Sequence, residues 1–83
     1  MSKSTKIIET VAHLIDQWCE RRCLRALRHI LRAWPLHSGL TDEWGELLTA
    51  LERVRAFAKS ELTEEEQAQL EEGIHETAQI VHR

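Results

Sequence analysis

Residues 19–34 read CERRCLRALRHILRAW, and this stretch decides both how the chain folds and which surface it presents. Its apolar side chains recur every three or four positions, which is the spacing of a helix buried along one side. Five arginines occupy positions between them, and no acid follows Glu20 within the stretch. The pattern therefore predicts an amphipathic helix with an apolar wall and a basic outer face.

Both cysteines are predicted to lie in the apolar wall, where free cysteines are usually found. Cys19 and Cys23 are four residues apart and share one helical face. Zinc needs three or four protein ligands, and the histidines on predicted helices point away from the apolar stripes. We therefore expect no metal site and no cofactor, while a redox or metal role of the two thiols stays open. The other members of the wall are Ala26, Leu27, Ile30, Leu31 and Trp34.

The helix preceding this stretch buries a different face. Its apolar stripe is rotated by roughly 130° from the wall described above, far more than a straight helix drifts over this length. We expect a break near residues 20–22, although neither Gly nor Pro marks one; a single long helix with different neighbours at its two ends is the alternative. The stripe contains Ile7, Ile8, Val11, Leu14, Ile15 and Trp18.

Two further breaks are signalled by residue type. Pro35 disfavours a helical conformation at Trp34, so a helix is predicted to end there. Thr41 is a suitable N-cap for a third helix that runs to about residue 59. Its predicted buried stripe consists of Trp44, Leu47, Leu48, Leu51, Val54 and Ala58.

A fourth helix is predicted from Glu64 to about His82. Thr63 followed by Glu66 three residues later is the pattern of a capping box. The stripe of this helix consists of Leu70, Ile74, Thr77 and Val81.

No run of residues alternates as a strand does, so the fold class predicted is all-α. We expect one domain, residues 1–83, built as a small up-down bundle of three to four helices, with self-association as one way to complete its core. The N-terminal residues contain no continuous apolar run, which predicts neither a signal peptide nor a membrane segment and favours a cytoplasmic protein.

The charges are distributed unevenly along the chain. Residues 1–40 carry a net charge of +4 and residues 41–83 a net charge of −7, for a total of −3. Arg21, Arg25, Arg28 and Arg32 follow helical spacing on the face opposite the apolar wall. Like charges four residues apart repel each other, so a face chosen for solubility alone would mix the two signs.

Three interpretations of this arginine face remain: a solvated surface, a site for nucleic acid, or a site for an acidic protein surface. The net charge of −3 and the sequence pI near 5.9 disfavour nucleic acid. There is no glycine-rich phosphate loop or nucleophile elbow, and four short helices leave little room for a substrate pocket, so we expect no enzyme.

The sequence therefore predicts a non-enzymatic helical module, an adaptor, regulator or chaperone-like subunit, that contacts a protein. The partner is expected to present an acidic surface or to be a second copy of the chain. A second copy would offer the acidic outer face of its fourth helix, which is predicted to consist of Glu61, Glu65, Glu72 and Glu76. A small nucleic-acid-associated regulator is the alternative. The predicted partner-binding residues are Arg21, Arg25, Arg28, His29, Arg32, Trp34 and Trp44.

Overall fold

A computed structural model describes residues 3–36 and 41–82, which contain helices and turns and no strand. A short 3₁₀ turn, Lys59–Glu61, precedes the last helix. The prediction of an all-α bundle is confirmed. The four α-helices are α1 (Lys3–Glu20), α2 (Leu24–Ile30), α3 (Thr41–Phe57) and α4 (Glu64–Val81).

The helices pack in a ring in which each contacts two neighbours. α1 packs on α2, α2 on α3, α3 on α4, and α4 closes the ring against α1. The radius of gyration is 11.7 Å, close to the value of about 12 Å expected for a compact chain of this length. Buried apolar side chains from all four helices form a single cluster at the centre.

α1 ends in a Schellman motif, which produces the predicted break before α2. The N–H of Cys23 donates to the carbonyl oxygen of Trp18 at 2.8 Å, and the N–H of Arg22 donates to that of Cys19 at 3.3 Å. The motif needs a left-handed residue, and Arg22 supplies it with a φ of 56°. Trp18 and Cys23 are both buried and provide the apolar contact that usually accompanies this motif.

The prediction that the second helix reaches Trp34 is wrong, because α2 ends at Ile30 and the next residues form a turn. Pro35 is therefore not the residue that stops the helix, although its peptide bond with Trp34 is cis. The predicted turn continues into residues 37–40, which lie outside the described residues. The side chain of Thr41, and with it the predicted N-cap, also lies outside the described residues.

Three residues assigned to buried stripes are exposed instead. Cys19 is exposed, Leu31 is 50% exposed and Ile8 is 38% exposed. Cys19 belongs to α1, before the break, and not to the helix whose apolar wall was predicted to include it. Leu31 follows the last residue of α2, and the predicted apolar wall wrongly included it.

The predictions for α3 and α4 agree closely with the structure. All six residues of the α3 stripe are buried, as are Leu70, Ile74 and Thr77 of α4, while Val81 is half-buried. The capping box is present: the N–H of Glu66 donates to Oγ1 of Thr63 at 3.1 Å, and the N–H of Thr63 donates to Oε1 of Glu66 at 3.0 Å. No helix in the described residues is long and apolar enough to cross a membrane.

Candidate protein interface on the second helix

Three of the predicted arginines are exposed on the outer side of α2. Arg25 and Arg28 lie within the helix, and Arg32 lies in the turn that follows it. None of the three makes an ion pair with any residue in the described ranges, whereas Arg55 on α3 pairs with Glu71 at 3.3 Å. The outer side of α2 therefore carries three guanidinium groups without neutralising partners among residues 3–36 and 41–82.

Arg21 does not belong to this unpaired set, contrary to the prediction. Its guanidinium forms an ion pair with the buried carboxylate of Glu66 and donates a second hydrogen bond to the carbonyl oxygen of Glu61 at 2.6 Å. Arg21 lies in the turn between α1 and α2, and the Schellman motif directs its side chain towards the start of α4. It therefore stabilises the contact between α4 and this turn, and its role in binding a partner stays a prediction.

Glu66 is only 3% exposed, and its carboxylate is the charged centre of this contact. Burial raises the pKa of a carboxyl, but here the hydrogen bonds from Arg21 and from the N–H of Thr63 outweigh burial and lower the pKa of Glu66. Burial raises the pKa of the nearby Cys23 thiol, and the positive charge of Arg21 opposes this only in part. Cys23 is therefore held as a neutral thiol.

Glu61 connects the 3₁₀ turn to the N-terminus of α2. The backbone N–H groups of Arg25 and Ala26 each donate to Oε1 of Glu61 at 3.1 Å, which satisfies two of the free donors at the start of the helix. Its carbonyl oxygen also accepts from Sγ of Cys23 at 3.5 Å. The prediction that Glu61 faces solvent opposite the core is wrong, because its carboxylate caps α2.

Glu76, also predicted to face solvent, is half-buried against α1. Its carboxylate lies 3.5 Å from Nζ of Lys6, which pairs with Glu72 at 3.0 Å as well. These ion pairs raise the pKa of Lys6, with the hydrogen bond to Glu72 as the largest cause. Part of the predicted acidic face of α4 is therefore neutralised within the chain.

Large apolar side chains are exposed beside the unpaired arginines, and the sequence patterns did not predict them. Leu24 is 70% exposed, and Leu31 lies seven residues later on the same side of α2. Phe57, the last residue of α3, is 64% exposed. The exposure of Leu24 could have been predicted from its position on the helix, opposite Ala26 and Ile30. The exposure of Phe57 depends on where α3 ends.

His29 joins α2 to the end of α3. Its ring is half-buried, and its centroid lies 5.7 Å from that of Phe57, at an interplanar angle of 32°. The Nδ1 atom of His29 is buried without a hydrogen-bond partner among the described residues. Arg25, Arg28, His29 and Phe57 line a shallow open groove of about 440 Å³.

The two predicted tryptophans differ in their availability to a partner. Trp44 is 6% exposed and belongs to the central cluster, so little of its side chain is accessible at the surface, and its contact with a partner stays a prediction. Trp34 is half-buried and packs against the same cluster from the turn after α2.

A larger open cavity of about 770 Å³ lies between α2, α3 and the end of α4. Its lining mixes the cations Arg32 and Arg53 with the anions Asp42 and Glu46. Within the described ranges, no three His, Cys, Asp or Glu side chains are close enough together to hold a metal ion.

No protein-family model, curated protein or solved structure matches this chain. The case for a function therefore depends on the geometry and the charge of the surface around α2.

Proposed function

We propose that the chain is a non-enzymatic helical interaction module that binds an acidic protein surface through the outer side of α2. The observation that carries the proposal is the combination of unpaired arginines, Arg25 and Arg28 on the short, capped helix α2 and Arg32 just after it, with exposed apolar side chains beside them. Elsewhere in the described chain, Lys6 and Arg55 have carboxylate partners within reach, whereas Arg53 and Lys59 are exposed and make no ion pair with the described residues. What distinguishes α2 is the grouping of its arginines beside the exposed Leu24 and Leu31. Complementary charges mainly orient a partner and speed its association, and the apolar contacts add affinity.

A nucleic-acid partner is less well supported by the same surface. Contacts with phosphates need cationic side chains along the bound surface. Leu24 and Leu31 are exposed next to Arg28, where a phosphate backbone would have to lie. The chain also carries a net charge of −3, which repels a polyanion at longer range. An acidic protein surface with apolar side chains satisfies both kinds of group on this face.

Self-association is one form that the proposed interaction can take. Glu64 and Glu65 are exposed at the start of α4 and make no ion pair with the described residues, so they offer carboxylates to α2 of another copy. Such a contact joins two different surfaces and is heterologous. A cytoplasmic location is part of the proposal, since both cysteines are unbridged and thiols persist in reducing compartments.

The decisive experiment compares single charge reversals in two exposed cations. Arg28→Glu changes the proposed surface, and Lys59→Glu is the matched control because Lys59 lies at the groove between α3 and α4. Complexes would be recovered from cells by crosslinking, and sedimentation velocity would give the mass of the purified protein at about 0.1 M and 0.5 M salt. We expect Arg28→Glu to lose the crosslinked partner or the self-associated species, and high salt to weaken it in the wild type.

The control variant should retain the wild-type complexes. A wild-type protein that stays monomeric at both salt concentrations and yields no specific crosslinked partner would contradict the proposal. Equal losses in the two variants would contradict the assignment of the surface to α2.

A further inference from the structure

We infer that the groove between α2 and the end of α3 binds an acidic segment of another protein, with one large apolar side chain of that segment seated against Phe57. The inference rests on the proposed function and names the chemistry of the partner. It depends on four residues that the fold brings together: Arg25, Arg28, His29 and Phe57.

The apolar part of the groove is built by Phe57 and His29. Phe57 leaves 64% of its surface exposed, and its ring centroid lies 5.7 Å from that of His29, so an aromatic surface is in contact with water at the groove. Covering it with a large apolar side chain removes apolar area from both partners. Aromatic side chains that a partner covers are where interface energy tends to concentrate.

The cationic part of the groove is formed by Arg25 and Arg28. The carboxylate of Glu61 lies at the start of α2, but it already accepts the N–H groups of Arg25 and Ala26. The two guanidinium groups are thus left for external carboxylates, which they can hold in bidentate pairs. A segment with carboxylates flanking an apolar side chain complements the groove in both charge and polarity.

A second copy of the chain fits this groove less well. The outer face of α4 offers the carboxylates of Glu64 and Glu65, but its one exposed apolar residue is Ala68. A methyl group covers little of Phe57, so α4 would supply the charge without a large apolar side chain. This comparison favours a different protein as the occupant.

The test uses a fluorescent twelve-residue peptide with a central leucine flanked by glutamates, titrated into the full chain. One control peptide replaces the glutamates with glutamines, and another replaces the leucine with alanine. Anisotropy gives the Kd, and amide chemical shifts of ¹⁵N-labelled protein locate the site. We expect shifts centred on residues 25–29 and Phe57, and binding weakened about tenfold or more by either peptide change, which corresponds to about 1.4 kcal/mol.

Variants of the protein make the test specific. Phe57→Ala and the double variant Arg25→Gln/Arg28→Gln should each weaken the peptide about tenfold or more, whereas Lys59→Gln should leave the Kd unchanged. The four substitutions in these three variants are at exposed positions, and far-UV circular dichroism would show whether each variant folds.

Several outcomes would overturn the inference. They are absence of binding to the acidic peptide, equal binding of the glutamine peptide, shifts located away from Phe57, and preferential binding of a twelve-nucleotide RNA or DNA at the groove. Self-association that Phe57→Ala abolishes would also assign the groove to a second copy. If Arg28→Glu still removes a cellular partner while the peptide does not bind, the proposed function stands and this inference fails.

Discussion

Arg22 holds the left-handed backbone conformation at which α1 terminates, a position that glycine usually occupies. A left-handed conformation costs a residue with a Cβ about 1 kcal/mol relative to glycine. The structure offsets this cost with the buried contact between Trp18 and Cys23 and with the ion pair of the neighbouring Arg21. Because the terminating residue is an arginine, the sequence contains no glycine to mark the break.

Replacing Glu66 with glutamine should destabilise the fold by about 1–2 kcal/mol, because the charge-assisted bond from Arg21 is lost within a buried environment. Glu65→Gln is the matched control, since Glu65 is exposed in the same first turn of α4 and experiences the same helix dipole. Urea unfolding at neutral pH measures both variants. Equal destabilisation would show that the helix dipole, and not the Arg21 pair, accounts for the effect.

The same residue predicts a dependence of stability on pH. The pKa of Glu66 is lower in the folded than in the unfolded chain, so its contribution is fully present above the unfolded value, which is ordinarily about 4.5. The contribution is lost as the pH falls below that value and through the folded pKa. Between neutral and acidic pH, the free energy of unfolding should therefore decrease more for the wild type than for Glu66→Gln. Parallel curves for the two proteins would contradict the assignment.

The two thiols should differ in reactivity. Cys19 is exposed and open to a thiol reagent, while Cys23 is buried and its raised pKa leaves it little thiolate. A maleimide or iodoacetamide pulse at neutral pH should label one site quickly, and mass spectrometry should place it at Cys19. Cys19→Ser should remove the fast phase, and Cys23→Ser should leave it intact. Rapid labelling of both sites in the folded protein would contradict the burial of Cys23.

At the scale of the element, α2 is the unusual member of the bundle. It has seven residues, well below the length at which an isolated helix is stable in water. Packing of Ala26 and Ile30 holds one side, and the carboxylate of Glu61 caps the first turn. The helix that presents the arginines therefore depends on a residue from the opposite half of the chain.

Removing this cap should loosen α2 selectively. Glu61→Ala should cost about 1 kcal/mol, the usual effect of losing a helix cap, and should speed hydrogen exchange at the amides of Arg25 and Ala26. Glu52→Ala, at an exposed position on α3, is the control and should change neither measurement by much. Unchanged exchange at Arg25 and Ala26 in the Glu61 variant would show that packing alone maintains α2.

The elements that the sequence predicted well are those determined by local patterns. The stripe of α3 and the capping box at Thr63 and Glu66 depend on residues within one or two turns, and both are confirmed. The pairing of Arg21 with Glu66 and the cap from Glu61 join residues 35 or more positions apart. Helical periodicity cannot predict such pairs, because they form only when α4 packs against the turn after α1.

The candidate site was predicted only in part for the same reason. Helical spacing placed Arg25 and Arg28 on the outer side, and both are exposed. Helical spacing also grouped Arg21 with these two residues. That grouping failed because the turn at Arg22 interrupts the helix. Phe57 was not predicted as part of the site because its contact with His29 is formed between two helices.

For the molecule as a whole, one apolar cluster with members from all four helices implies cooperative unfolding. Tryptophan fluorescence reports on Trp18 in α1 and Trp44 in α3, both buried, while far-UV circular dichroism reports on all the helices. We expect the two signals to follow one urea transition with the same midpoint. A loss of helical signal before the fluorescence changes would indicate that one helix unfolds separately.

The capping of α2 by Glu61 also determines when a binding surface first exists during synthesis. A ribosome makes the chain from its N-terminus, so the arginines emerge long before the carboxylate that caps their helix. Until Glu61 and the start of α4 have emerged, a nascent chain carries Arg25 and Arg28 on a segment too short to remain helical alone. The surface proposed to bind a partner would therefore be complete only after Glu61 has emerged.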